Sequence, residues 1–131
     1  MRNTLHAALM AKVAVYETRR NGGSTVCNAT AHPITRRSGF MVSLAGIGVE
    51  LSADLSDQAL QTSILAFIVE QSDALHGRYL GTWLDAGTVY VDVSEHFDDF
   101  DAAYDAAVER DQLALWDIAQ ACAIPTAPIA W

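Results

Sequence analysis

Cysteine is scarce in this chain. The two cysteines, Cys27 and Cys122, lie far apart, with no CxxC and no Cys/His ligand spacing around either. That disfavours a disulfide framework or a zinc site, and buried or idle thiols in a reducing cytoplasm are expected. Long apolar runs are also missing. The stretch Ile64-Leu-Ala-Phe-Ile-Val69 is far short of the roughly 20 residues that a membrane span requires. His6 and Lys12 interrupt the mildly apolar start, so no secretory signal is expected and the cytoplasm is the expected location. No glycine-rich strand-to-helix turn appears, which argues against a doubly wound nucleotide fold. Ser24, Ser43 and Ser94 lack a nucleophile-elbow context, and Cys27 has no local histidine signature, which disfavours serine and cysteine hydrolases.

Positive charge is nearly absent after residue 40. Residues 1 to 40 hold six basic side chains against the single acid Glu17, whereas the remainder holds only Arg78 and Arg110 against fifteen acids. Phosphate-backbone binding depends on lysine and arginine density, so nucleic acid is a disfavoured partner over most of the surface. An acidic face suits a basic protein partner. A membrane partner is not expected.

What is present is enough for one domain. At 131 residues and 51% apolar composition, such a chain buries roughly 65 to 70% of its unfolded surface. The first 20 residues fit two patterns: Leu5, Ala8, Leu9, Lys12 and Val13 make a helical stripe, whereas residues 12 to 18 alternate like a strand. A short helix passing into a strand is expected, with a hairpin across Asn21-Gly22-Gly23 into residues 24 to 30. Strands are expected at 40 to 44 and 49 to 51.

A helix capped by Ser56, with Leu60, Ile64, Leu65, Ile68 and Val69 on one face, should run to Gly77. The alternation on either side of Asp85-Ala86-Gly87 reads as a β-hairpin with Val89, Val91 and Val93 on its core side. A second helix begins at Asp98 or Asp99 and carries Phe100, Ala103, Tyr104, Ala107 and Val108. A strand is expected at 113 to 118. Pro125 and Pro128 make the remainder a surface tail docked by Trp131, or a disordered one. The fold class expected is α+β: a single small domain, with an antiparallel or mixed sheet of about 4 to 6 strands and two main helices packed on one face.

Several motifs resemble an uncharacterised family of small proteins and embedded domains from actinobacteria, their phages and mobile elements. They are Gly22-Gly-Ser-Thr25, Ser38-Gly-Phe-Met-Val-Ser43, Tyr79-Leu-Gly-Thr-Trp-Leu-Asp85, Val89-Tyr-Val-Asp-Val-Ser94 and Gln112-Leu-Ala-Leu-Trp-Asp117. The resemblance covers residues 22 to 118 as a core and leaves 1 to 20 and 119 to 131 peripheral. Ser24 stands where that family more often has an aromatic residue. The resemblance implies a cytoplasmic accessory protein of phage or mobile-element type, with no established activity and so no catalytic residue to transfer.

Three readings of the polar residues follow. The first places Trp83, Asp85, Tyr90 and Asp92 on the polar side of the hairpin, joined by Trp116 and Asp117 if their strand pairs alongside. It makes the chain a non-enzymatic protein that binds a host protein through the acidic surface of residues 85 to 111, with aromatic anchors. The second brings Arg19, Arg20, Arg36 and Arg37 together as an anion clamp for phosphate or nucleotide. The third is a small metal-dependent enzyme centred on Asp92 and Asp117. The acids of Glu95 to Asp101 sit where a helix start favours negative charge, and capping accounts for them better than a metal does. His6, His32 and His76 have no partner at ligand spacing. No catalytic residue, metal or cofactor is assigned. A homodimer through an exposed sheet edge is compatible with the sequence.

Overall fold

A computed structural model describes residues 4 to 126. Its elements are α1 (Thr4–Asn21), β1 (Gly23–Cys27), β2 (Phe40–Ser43), β3 (Val49–Ser52), α2 (Asp57–Glu70) and α3 (Ser72–Leu75). There follow β4 (Tyr79–Asp85), β5 (Thr88–Phe97), α4 (Phe100–Glu109), β6 (Ala114–Asp117) and β7 (Cys122–Pro125). The class is α+β, and every strand pair whose register is defined is antiparallel. Seven strands and four helices among the described residues exceed the expected four to six strands and two main helices.

The chain divides into two compact units. The first comprises residues up to Ile34 together with Ile47–Val93, and the second Thr35–Gly46 with residues from Ser94 onward. The ten-residue β5 contributes to both.

In the first unit the strand order is β1-β4-β5-β3. Helix α1 packs on α2, β1 and β4, and α2 packs on β3. The core holds Met10, Val26, Leu60, Ile64, Ile68, Leu80, Val89, Val91 and Val93, all at most 1% exposed. Each such side chain contributes on the order of 1.5–3 kcal/mol through burial. The valine side of the hairpin is therefore the core side, as the alternation requires.

Three expectations in this unit are corrected. Residues 4 to 21 form one helix, not a helix and a strand, because Ala7, Met10, Ala11, Ala14, Val15 and Thr18 recur at helical spacing and are buried. This segment is a structural layer of the unit, and no hairpin crosses Asn21 to Gly23. The Gly22 amide donates back to the Thr18 carbonyl at 2.9 Å, which closes the helix, and Gly22 sits at φ 85°. The helix from Ser56 breaks at Gln71, and its fourth core residue is Phe67, since Val69 is half exposed. The Ser56 hydroxyl does accept from the Ala59 amide, as a cap should.

In the second unit the order is β5-β2-β6-β7, and α4 lies on β2 and β6. Val42, Ala103, Ala107 and Leu115 form its centre, with Phe40, Phe97, Tyr104 and Ile124 around them. Asp99 caps α4 by accepting from the Ala102 amide at 2.9 Å. Residues 122 to 125 are not a tail but an edge strand on β6, where Pro125 is tolerated because it stands at the strand end. The expected docking of Trp131 lies outside the described residues.

Candidate functional site

A chain of hydroxyl groups marks which face of the first unit's sheet α1 covers. Thr18 Oγ1 donates to the Ala14 carbonyl at 2.6 Å and lies 2.6 Å from Thr82 Oγ1, which lies 2.5 Å from Ser24 Oγ. Thr18 has one proton and gives it to the carbonyl, so it accepts from Thr82, and Thr82 in turn accepts from Ser24. This directional chain ties α1 to β4 and β1 on the face that carries Ser24, Val26, Leu80 and Thr82. Alternation then turns Gly23, Thr25, Tyr79, Gly81, Trp83 and Asp85 to the opposite face, away from α1 and α2.

On that opposite face an aromatic row forms. Ala86 and Gly87 adopt φ 49° and 82°, the geometry of a two-residue hairpin turn. Such a turn places Asp85 opposite Thr88, and two residues further on it places Trp83 opposite Tyr90. On the far side of β5, Tyr90 faces Glu50 of β3, and on the far side of β4, Trp83 faces Gly23 of β1. A Cβ on Gly23 would meet the Thr82 carbonyl oxygen at 2.8 Å, so the strands close tightly beside the indole. Trp83 is 52% exposed and Tyr90 39%, and Glu50 and Asp85 are exposed as well. Asp92, half-buried, lies on the same side of β5 as Tyr90.

Four of the six anticipated binding residues, Trp83, Asp85, Tyr90 and Asp92, thus share one face of one unit. Trp116 and Asp117 belong to the other unit, where β6 pairs with β2 and β7 and not with the hairpin. Trp116 is registered with Met41, and Asp117 Oδ1 accepts from the Gln120 amide at 3.1 Å, which stabilises the β6–β7 turn. Glu50 is the residue that sequence reasoning missed. Its outward direction is readable from Val49-Glu50-Leu51, but its place beside Tyr90 depends on a strand register that the sequence does not display.

The arginines of the alternative clamp are placed as follows. Arg19 donates to Asp57 Oδ1 at 3.0 Å and to the carbonyls of Ala53 and Leu55 at 2.8 and 2.6 Å, so its guanidinium holds the β3–α2 loop against α1. Arg20 donates to Tyr16 Oη at 3.0 Å and lies over its ring. Arg36 and Arg37 are exposed in the second unit. Among the described residues no group of three or more His, Cys, Asp or Glu side chains could hold a metal ion. No helix described is long and apolar enough to cross a membrane.

An indole and a phenol side by side, bordered by carboxylates, can stack on a guanidinium or ammonium group and hydrogen-bond to it. No family model matches this chain, and no curated protein or solved structure matches it either.

Proposed function

We propose that this protein is a non-enzymatic interaction module that binds a basic segment of a protein partner on the sheet face of its first unit. The observation that carries this reading is the exposed pair Trp83 and Tyr90, flanked by Glu50 and Asp85 on the face turned from the helices. Exposed aromatic anchors dominate binding energy, and surrounding carboxylates select cationic partners and speed their encounter. The family resemblance makes a host protein the expected partner of a phage or mobile-element accessory protein. Arg19 is engaged by Asp57 and the carbonyls of Ala53 and Leu55, which favours this reading over the anion clamp.

Affinity capture from a bacterial lysate tests it, with Trp83→Ala and Tyr90→Ala run beside the parent chain. A stoichiometric partner should appear at low salt and diminish at high salt, and each variant should bind it at least about tenfold more weakly. Both variants should melt within a few degrees of the parent, because the rings are half exposed. A partner retained equally by both variants would refute the assignment of this face.

A further inference from the structure

Helix α1 carries two opposed stripes. Ala7, Met10, Ala11, Ala14, Val15 and Thr18 are buried on one side. On the other, at steps of four, three, four and four residues, stand Leu5, Leu9, Lys12, Tyr16 and Arg20, all exposed. At 100° per residue these five fall within about 80° of arc. Leu5 is 78% exposed, Leu9 50% and Tyr16 59%, so the stripe is apolar as well as basic. The alternation of four and three is the spacing of a helix-pairing seam, in which the aliphatic stem of Lys12 can fill the slot between Leu9 and Tyr16. The stripe is narrower than the broad apolar face of an interfacial membrane helix, and a chain of net charge −8 is repelled by anionic lipid.

The chain itself supplies a helix of complementary chemistry. On α4 the exposed residues Asp101, Asp105 and Glu109 form an i, i+4, i+8 row, with Val108 half exposed beside them. Leu113, 88% exposed, lies just beyond. Lys12 and Arg20 are as far apart in sequence as Asp101 and Glu109, eight residues or about 12 Å along a helix. Laid antiparallel, Arg20 meets Asp101 and Lys12 meets Glu109. Pairing α1 with another α1 would instead confront like charges. We propose that the protein self-associates, with α1 of one copy seated on α4 of another. Such a contact uses different surfaces on the two partners, so it occurs twice in a two-fold dimer or once per copy in rings and longer chains. It is independent of the Trp83 and Tyr90 face.

Light scattering coupled to size exclusion tests this on the whole purified chain. The expected mass at low salt exceeds the 14.1 kDa of one copy, rises with concentration, and falls toward one copy at about 0.5 M salt. Lys12→Glu and Glu109→Lys, both at exposed helical positions, should each weaken association at least tenfold. Mixing the two variants, or combining them in one chain, should restore it by re-pairing opposite charges. A single-copy mass at low salt and high concentration would overturn the proposal. So would association that persists in both charge variants.

Discussion

Thr82 shows how much of the first unit rests on one hydroxyl. It is 5% exposed, receives the Ser24 proton and passes its own to Thr18. Valine has nearly the same shape and a better strand preference, so Thr82→Val isolates the hydrogen bonds. We expect it to cost about 1–2 kcal/mol, because Thr18 Oγ1 is then buried without its donor. Thr82→Ser retains the chain and loses only a methyl group, about 0.8 kcal/mol. Urea melts of the two variants measure the difference, and a valine variant as stable as the parent would show that the chain contributes nothing net. The sequence lists Thr18, Ser24 and Thr82 without any sign that they meet, since they are joined by packing across 64 residues and not by local pattern.

At the level of elements, the hairpin was legible and the first helix was not. Strand alternation and a turn signal identify β4 and β5 because both are local in the chain. Helix α1 misleads because its exposed stripe contains the large apolar residues Leu5, Leu9 and Tyr16, while half of its buried stripe is alanine. Hydrophobic periodicity weighs side-chain size and so points to the outer face. The candidate site divides in the same way. Trp83, Asp85, Tyr90 and Asp92 were readable from one hairpin, whereas Glu50 and the separate placement of Trp116 and Asp117 depend on long-range register.

The hairpin turn supplies its own test. Ala86 holds a left-handed conformation that a Cβ disfavours, and asparagine occupies that turn position readily. Ala86→Asn should stabilise the protein by about 0.5–1 kcal/mol, seen as a higher melting temperature. A lower one would count against a turn of this type.

On the scale of the whole chain, the two units give a substitution a local address. Gly39 sits at φ 96°, and a Cβ there would lie 2.3 Å from His96 Nε2 and 2.8 Å from the Phe97 carbonyl oxygen. Both neighbours belong to the second unit. Gly39→Ala should cost about 2–4 kcal/mol, given the strained backbone and the backbone clash. Amide exchange should show the loss of protection concentrated in residues 35 to 46 and 94 to 126. Equal loss across both units would mean that they open as one cooperative body.

Strand β5 carries a rule about length. Its odd-numbered residues serve both units: Val89, Val91 and Val93 are buried in the first, and in the second Glu95 receives the Arg110 guanidinium at 2.5 Å while Phe97 lies under it. A strand has only two sides, so the parity of a residue's position along β5 fixes which side it takes. Exchanging residues leaves that parity intact. Adding or deleting one residue inside β5 would invert the inward and outward sets of everything beyond it, whereas an exchange at Val89, Val91 or Val93 removes only the packing of that one side chain.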